Sequence, residues 1–287
     1  MKSILITGAN GFLGSHLVVE LSKEFNVIGL VRSTQSINRI KNQSIKIYSS
    51  EDPLEKIFKE NKIFAVIHTA TVYKKKNDSI IPLFKTNIEL PVRLAELCNS
   101  YKVKAFLNTD SFFNSSTYSY SYLSEYTLTK KHTSEWLNLL SKTNVFKLVN
   151  LKLFHMYGET DSESKFVPSL VSQITKGSEA IKMTKGEQTR DFIYIKDVVS
   201  AYRQVLCSIE ELSHYEEFDV GTGVETSIKE FTNLTKAILE CETKILFGAI
   251  PYREGEIMKS KAETIKLCKL GWKPSFSLEK GLKEYLS

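Results

Sequence analysis

The stretch SILITGANGFLG, residues 3–14, decides the fold of this chain. Its apolar start predicts a buried parallel strand, and the helical periodicity of residues 15–23 follows at once. Between the two, Gly8 allows a tight turn, Gly11 lets the backbone approach a pyrophosphate, and Gly14 allows the helix to pack closely on the strand. The free N–H groups and partial positive charge of a helix N-terminus suit phosphate groups. The stretch therefore predicts a dinucleotide-binding turn, with a plain glycine-rich connection as the alternative.

Length and composition are those of an ordinary globular protein. The 287 residues, 42% hydrophobic and 25% charged, suit one large α/β domain or one domain with a smaller lobe. The net charge is +6, but the lysines are scattered and their one run, residues 74–76, is short. We therefore expect that run to be a solvated loop and expect no nucleic-acid partner. A modest positive net charge also suits an anionic substrate. The four cysteines lie far apart, without metal or disulfide spacing, which indicates a reducing cytoplasm and no bound metal. We expect no signal peptide and no membrane partner, because no apolar run approaches the ~20 residues that span a bilayer.

Strand and helix patterns alternate along the first half of the chain. After the opening strand and helix, strands are predicted at residues 27–31, 45–48, 64–68, 103–108 and 147–153, and helices at 53–60, 82–100 and 124–141. This alternation predicts an α/β fold with a Rossmann-like, doubly wound parallel sheet and helices on both faces.

The pattern changes near residue 155. Helices are predicted at residues 167–176, 197–208, 228–240 and 262–270, with short strands at 181–183, 192–195, 217–220 and 244–247. We therefore expect a dinucleotide-binding domain at residues 1–155. A smaller C-terminal α/β lobe, mainly substrate-binding and partly interleaved with the sheet, is expected at residues 156–287.

A tyrosine and a lysine, Tyr126 and Lys130, stand one helical turn apart. On a helix they share a face, and an ammonium beside a phenol is expected to lower the tyrosine pKa and tune it for proton transfer. Such a pair arises easily by chance in a lysine-rich chain, so its position after the fifth strand carries the argument. Thr109, expected at the end of that strand, can donate its hydroxyl to a substrate oxygen, or serve as a capping hydroxyl.

Six motifs in order resemble the extended short-chain dehydrogenase/reductases, which act mostly on nucleotide sugars. They are TGANGFLG (7–14), NTDSFF (108–113), YTLTK (126–130), LKLFHMYG (151–158), QTRDFIYIKDV (188–198) and LGWKPSFSLEKGL (270–282). The resemblance covers essentially the whole chain. It implies a catalytic triad of Thr109, Tyr126 and Lys130, with Lys130 also holding the nicotinamide ribose.

The expected site is large. The expected cofactor contacts are Gly8, Gly11, Phe12, Leu13, Gly14, Arg32, Ser33, Thr69, Ala70, Asn87, Tyr126 and Lys130. The expected substrate contacts are Thr109, Asp110, Ser111, His155, Phe166, Val167, Arg190 and Arg253. The resemblance places the last two arginines at the nucleotide part of the substrate, where guanidinium groups suit a sugar pyrophosphate; surface charge is the alternative reading.

Two details bear on the reaction. Dehydratases that resemble this chain carry Thr-Asp-Glu where it reads Thr109-Asp110-Ser111, so hexose 4,6-dehydratase activity is not expected. The second strand ends in Arg32 and Ser33, where an acidic residue normally holds the ribose hydroxyls of NAD. An arginine there can pair with a 2′-phosphate, which favours NADP(H) and a net reductase, or it can stack on adenine.

Within the family, the chain most resembles the paratose and abequose synthases of bacterial O-antigen pathways. We therefore expect NADPH-dependent reduction of the 4-keto group of a CDP-linked 3,6-dideoxyhexose, with a dTDP-linked sugar as the second choice. The alternatives are a nucleotide-sugar 4-epimerase and a non-catalytic NADP(H) sensor. The nucleotide base and the configuration at carbon 4 stay open.

A homodimer is also expected. The helices predicted at residues 82–100 and 124–141 resemble the family's dimer-forming pair. Their apolar residues Leu94, Leu97, Trp136 and Leu140 are expected to face outward, with core packing as the alternative.

Overall fold

The computed structural model describes residues 1–74, 78–115, 123–143 and 145–287, so residues 75 and 76 of the expected lysine loop lie outside the described residues. The strands of the described part are β1 (Ser3–Thr7), β2 (Asn26–Val31), β3 (Lys46–Ser49), β4 (Ile63–His68), β5 (Ala105–Ser111), β6 (Lys147–Leu153), β7 (His155–Tyr157), β8 (Ala180–Met183), β9 (Thr189–Arg190), β10 (Phe192–Tyr194), β11 (Tyr215–Val220), β12 (Thr226–Ser227) and β13 (Lys244–Phe247). The helices are α1 (Phe12–Leu21), α2 (Leu54–Glu60), α3 (Ile81–Phe84), α4 (Leu90–Ser100), α5 (Ser124–Ser141), α6 (Phe166–Thr175), α7 (Ile195–Cys207), α8 (Ile228–Ile238), α9 (Ile265–Lys269) and α10 (Leu278–Leu286). Within the described ranges, no helix combines the length and apolarity that a bilayer crossing requires.

Seven strands form one sheet in the order β11-β6-β5-β4-β1-β2-β3. The pairs β1–β2, β1–β4, β2–β3 and β4–β5 are parallel, which confirms the predicted Rossmann-like sheet. The strand order reverses between β1 and β4, and ligands of such sheets bind outside the carboxyl ends of the strands at the reversal. Thr7 and His68 are partners in register at those two ends and mark the place where a site is expected.

The core of the sheet follows from its apolar runs. Ile4, Leu5 and Ile6 of β1 are fully buried, as expected for a central parallel strand that is covered on both faces. Leu94 of α4 and Leu137 of α5 belong to the apolar cluster that packs around Leu5. The same helices thus both cover the sheet and carry residues toward its strand ends.

The glycine turn joins β1 to α1 in very little space. Gly8 has a φ of +65°, a left-handed conformation that residues with side chains rarely adopt. The Gly11 N–H donates to the Gly8 carbonyl oxygen at 2.7 Å. A Cβ on Gly14 would stand 2.1 Å from the same oxygen. The Gly8 carbonyl therefore excludes a side chain at position 14, and α1 can begin directly against the end of β1.

The helix predicted at residues 82–100 consists of α3, a π-helical segment (Lys85–Glu89) and α4 in succession. Pro91 has no N–H, so it cannot donate to the carbonyl of Asn87 as a regular α-helix requires. That carbonyl accepts a hydrogen bond from Thr133 Oγ1 of α5 instead. A proline inside a helical pattern thus accounts for the wider turn.

The chain divides into two compact units. One comprises Met1–Ser115, Leu123–Lys152 and Tyr202–Phe218, and the other comprises Leu153–Ala201 and Asp219–Ser287. In the second unit β7–β10 and β8–β13 are parallel pairs, and β9–β12 is antiparallel. The expected assignment of cofactor and substrate to separate parts of the chain stays a prediction.

The segment Tyr202–Phe218 is tied firmly to the first unit. The Leu148 N–H donates to the His214 carbonyl oxygen at 2.8 Å. The Lys147 ammonium donates to three carbonyl oxygens at 2.8 to 2.9 Å, those of Ile209, Glu210 and Leu212. The segment is therefore a structural part of the sheet unit.

The four residues expected to face outward differ in exposure. Leu94 is fully buried, while Leu97 and Leu140 are partly buried and pack against the core cluster. Trp136 is 50% exposed. The expectation is therefore wrong for Leu94, which belongs to the core because its side of α4 faces the sheet.

We expect Gly14→Ala to destabilise the protein, because the added methyl group meets the Gly8 carbonyl oxygen in the tight turn. Overpacking of this kind lowers the free energy of unfolding by roughly 1–3 kcal/mol, and by more where backbone must shift. The control is Gly177→Ala, where nothing lies within 4 Å of the added Cβ and only a left-handed φ opposes it, at a cost of about 1 kcal/mol. Urea denaturation followed by circular dichroism compares the two; a Gly14→Ala variant as stable as the wild type would contradict the steric argument.

Candidate active site

The carboxyl ends of β1 and β4 are joined by a hydrogen-bond network. Thr7 Oγ1 lies 2.9 Å from His68 Nδ1 and accepts from the N–H groups of Thr69 and Ala70, both at 3.2 Å. Burial lowers the pKa of His68 to about 3, so its ring is neutral. A Cβ on Gly8 would meet the Ala70 backbone at 2.8 Å. Two expected cofactor residues, Thr69 and Ala70, are thus held directly against the glycine turn.

The glycine turn has the shape and polarity that a pyrophosphate needs. Gly11 precedes α1 in an extended conformation (φ −74°, ψ 176°) and has no side chain to cap the helix. The first N–H groups of α1, which begin at Phe12 and Leu13, have no intrahelical partner and suit an anion. Leu13 is only 5% exposed, so its backbone rather than its side chain would serve a ligand. The residues present therefore fit a dinucleotide cofactor.

Helix α5 brings Tyr126 and Lys130 together with Thr109 of β5. Both α5 side chains are buried, and Lys130 Nζ lies 5.7 Å from the centroid of the Tyr126 ring. The ammonium donates to the Thr109 carbonyl oxygen at 2.6 Å. The helical spacing and this contact gather the three expected catalytic residues in one place, while their roles stay predictions.

The expected lowering of the Tyr126 pKa is wrong for this arrangement. Burial raises the pKa of Tyr126 well above its ordinary value, and Tyr73 and Asp110 raise it further. The Tyr73 ring stacks on Tyr126 with centroids 4.5 Å apart. Burial also lowers the pKa of Lys130 to about 8, opposed by the charge of Asp110. The phenol therefore keeps its proton at neutral pH, as a proton donor must.

Thr109 lies inside β5 rather than at its end, because the strand continues to Ser111. Its Oγ1 is 2.7 Å from the hydroxyl oxygen of Tyr202, so the alternative of a helix cap is not what the structure shows. Burial raises the pKa of Tyr202, which stays protonated. Sequence reasoning missed Tyr202, since 93 residues separate it from Thr109 and no local motif marks it.

The Asp110 carboxylate is bound by groups of the protein itself. It accepts hydrogen bonds from the Ser111 N–H and from the side-chain amides of Asn114 and Asn150, each at 2.8 Å. Burial raises the pKa of Asp110, and the Lys130 ammonium works in the opposite direction. This geometry supports a role in holding the end of β5, and the expected substrate contacts of Asp110 and Ser111 stay predictions.

Asn87, an expected cofactor contact, links the chain after β4 to α5. Its Oδ1 accepts from the Val72 N–H at 2.8 Å, and its Nδ2 donates to the Val72 carbonyl at 3.0 Å and to Thr129 Oγ1 at 3.1 Å. Thr129 stands between Tyr126 and Lys130 on the helix. Asn87 thus fixes the turn of α5 that carries both expected catalytic side chains.

Arg32 and Ser33 follow β2 and are exposed. The Arg32 carbonyl accepts from Ser50 Oγ at 2.9 Å, and Ser33 Oγ accepts from the Gln35 N–H at 3.2 Å. These hydrogen bonds hold the start of the loop at the end of β2, and the exposed Arg32 side chain is accessible to a ligand.

Arg190 is paired inside the second unit. Its guanidinium forms an ion pair with Glu256 and donates to the carbonyl oxygens of Thr189 and Ile257 at 2.7 and 2.6 Å. The two charged side chains are 10% and 11% exposed. Arg190 therefore anchors the segment that carries the exposed Arg253, and the expected contact of both arginines with a sugar pyrophosphate stays a prediction.

Three further expected substrate residues lie around Phe192 or in the core of the second unit. The ring centroids of His155 and Phe166 are 5.9 and 6.3 Å from that of Phe192. Burial, with Arg190 in support, lowers the pKa of His155 well below its ordinary value, so the ring is neutral. Val167 is 6% exposed and packs in the interior. The three form an aromatic and apolar surrounding rather than a charged one.

Residues 4–221 match the model of the NAD dependent epimerase/dehydratase family. The chain belongs to this family. It is 36% identical over 293 residues to the CDP-abequose synthase of Salmonella typhimurium, and the alignment covers 99% of this chain and 97% of that protein. Its identity to the CDP-abequose synthase of Salmonella muenchen is 40% over 293 residues, or 100% of this chain and 97% of the relative.

A solved structure shares the fold over the same length. The crystal structure of UDP-glucose 4-epimerase from Thermotoga maritima, with UDP-glucose, has a TM-score of 0.84 and 26% identity, and covers 99% of this chain and 97% of that chain. Family membership confirms the resemblance stated from the sequence motifs and the prediction of an NAD(P)-dependent enzyme.

We expect the buried Lys130 to make stability depend on pH. Its folded pKa of about 8 lies below the ordinary 10.5, so between these values the unfolded chain binds more protons and the folded state gains stability as pH rises. A shift of this size corresponds to about 3 kcal/mol. We therefore expect the free energy of unfolding of the wild type, relative to that of Lys130→Met, to increase with pH. Urea denaturation between pH 7 and 10 measures both values. Lys131→Met, the same change at the exposed neighbouring lysine, is the control; a pH-independent difference for Lys130→Met would refute the burial argument.

Proposed function

We propose that this enzyme reduces the 4-keto group of a nucleotide-linked deoxyhexose with NADPH, in the synthesis of O-antigen or a related surface polysaccharide. The observation that carries the proposal is that Tyr126, Lys130 and Thr109 are gathered in one place, with both α5 side chains buried and the Lys130 ammonium donating to the Thr109 carbonyl oxygen. The similarity to CDP-abequose synthases over nearly the whole chain supports a CDP-linked 4-keto-3,6-dideoxyhexose as the substrate. A dTDP-linked sugar is the second choice.

The proposed chemistry is addition of a hydride and a proton across the ketone. When bound at the glycine turn, NADPH would supply the hydride that adds to carbon 4 of the sugar. Tyr126 donates its proton to the ketone oxygen, which becomes the hydroxyl, and the Lys130 ammonium stabilises the phenolate that remains. Because burial keeps Tyr126 protonated, the group is in the correct state before the reaction starts.

Thr109 and Tyr202 would assist at the same oxygen. If the Tyr202 hydroxyl donates to Thr109 Oγ1, the Thr109 proton is directed to the ketone oxygen. A neutral donor there stabilises the negative charge that develops during hydride addition. Both hydroxyl groups would then act together, with Tyr202 as the positioning residue.

A 4-epimerase is the alternative enzyme, favoured by the fold shared with UDP-glucose 4-epimerase. Such an enzyme would oxidise and reduce its substrate in turn and would consume no NADPH overall. A non-catalytic NADP(H) sensor is less well supported, because a sensor does not need a buried phenol, ammonium and hydroxyl in one place. Loss of absorbance at 340 nm with a 4-keto sugar nucleotide distinguishes the reductase from both.

We place the enzyme in the cytoplasm. Its four cysteines are unpaired thiols, as is common in a reducing compartment. NADPH and nucleotide sugars are also soluble intracellular metabolites.

We expect Tyr126→Phe to lower kcat by roughly 10²- to 10⁴-fold, because the variant lacks the proton donor and keeps the ring. Binding of NADPH, measured by quenching of protein fluorescence, should change little. Tyr101→Phe removes a hydroxyl from an exposed tyrosine at the end of α4 and serves as the matched control. Full turnover in Tyr126→Phe would rule out the proposed acid.

We also propose a homodimer formed by the outer faces of α3 and α5. Exposed apolar side chains gather on these two helices, each about half exposed: Ile81, Phe84, Leu128, Trp136 and Leu139. Single exposed apolar residues are common, but a group of them on packed neighbouring helices is typical of a protein–protein interface.

We expect the double variant Trp136→Glu with Leu139→Glu to be monomeric in sedimentation velocity experiments, because charges are buried poorly at an apolar interface. The control is Val224→Glu, the same change at a residue that is 61% exposed in the second unit. A double variant that sediments like the wild-type dimer, or a wild type that is monomeric, would remove this proposal.

A further inference from the structure

The loop after β2 is unusually basic for a site that binds NAD. Residues 32–45 contain Arg32, Arg39 and Lys41 but no aspartate or glutamate. In Rossmann folds that bind NAD, a carboxylate at this place accepts hydrogen bonds from the adenosine ribose hydroxyls, whereas a nearby arginine accommodates a 2′-phosphate. The charge of the whole segment therefore suits an anion on the ribose.

Asn10 fastens this loop to the glycine turn. Its side-chain Oδ1 accepts from the Arg39 N–H at 3.0 Å, and its Nδ2 donates to the Ser36 carbonyl oxygen at 2.9 Å. Asn10 stands between Gly8 and Gly11, in the turn whose shape fits a pyrophosphate. One amide side chain thus sets the position of residues 36–39 relative to the phosphate-binding backbone.

The Arg39 side chain makes a second contact with the same turn. Its Nη1 donates to the Asn10 backbone carbonyl oxygen at 3.1 Å, and the residue is exposed. A flexible surface arginine is thereby held with its charge beside the glycine turn, on the side of the β2 loop. The adenosine ribose of a bound dinucleotide lies between these two features, since it connects the pyrophosphate to the adenine.

We propose that Arg39 is a specificity-determining residue that binds the 2′-phosphate of NADP(H), together with Arg32 at the strand end. The ligand class is an adenosine 2′-phosphomonoester. Guanidinium groups match the geometry of phosphate oxygens and form short charge-assisted hydrogen bonds with them. Because Asn10 and its carbonyl already hold Arg39 in place, less conformational freedom is lost on binding. The inference rests on the proposed function only in its choice of NADPH.

Adenosine 2′,5′-bisphosphate and adenosine 5′-monophosphate test this role, because they differ only in the 2′-phosphate. Isothermal titration calorimetry measures both Kd values for the wild type, Arg39→Gln and Lys41→Gln. We expect the wild type to prefer the bisphosphate. Arg39→Gln should weaken bisphosphate binding about tenfold or more and leave monophosphate binding unchanged. Lys41→Gln loses the same charge from the same exposed loop and should change neither value by more than about twofold.

Either of two results would overturn the inference. One is equal affinity of the wild type for the two nucleotides, and the other is an Arg39→Gln effect that matches the effect of Lys41→Gln. Neither measurement involves a sugar substrate. Selective bisphosphate binding without ketosugar reduction would therefore reject the proposed function alone, and NADPH-dependent ketosugar reduction that Arg39→Gln leaves unchanged would reject this inference alone.

Discussion

A buried ammonium ion holds the candidate active site together. Lys130 Nζ donates to the carbonyl oxygen of Thr109 at 2.6 Å, in surroundings that lower its pKa to about 8. Removing an ammonium from water costs several kcal/mol, so the fold tolerates Lys130 only because a carbonyl dipole and the Asp110 charge oppose that cost. The same contact sets the spacing of α5 from β5 and hence the position of the Tyr126 ring. The Lys130 charge, which lowers the stability of the fold, thus lies where proton transfer requires a positive charge.

A polar layer beneath the strand ends supports this ion. Asn150 of β6 donates to Asp110 at 2.8 Å and accepts from Asn108 of β5 at 2.7 Å. It also donates to Glu217 of β11 at 3.2 Å. Buried networks of this kind are costly when incomplete and rigid when satisfied. This network links the three neighbouring strands β5, β6 and β11 close to Thr109.

Local sterics could be predicted from the sequence, whereas long-range pairings could not. The glycine turn was predictable because each glycine acts within a few residues of the others, and α5 and β6 begin and end where periodicity places them. The π-helical interruption of the helix before Pro91 could in principle be predicted, because proline has no N–H. The partnership of Arg190 with Glu256 had no local signal, since the two lie in different segments of the chain. The pKa of Tyr126 was predicted in the wrong direction because spacing reveals neighbours but not burial.

The return of Tyr202–Phe218 to the sheet unit has a consequence for how the protein is made. A nascent chain cannot complete the first unit when Lys152 leaves the ribosome, because the carbonyls that bind Lys147 and the hydroxyl that meets Thr109 are translated later. Co-translational folding from the N-terminus therefore stops at an unfinished sheet edge. A ribosome-stalled or proteolytic fragment that ends before Tyr202 would expose the flank of β6 that β11 covers in the folded chain, and an uncovered strand edge is an aggregation hazard.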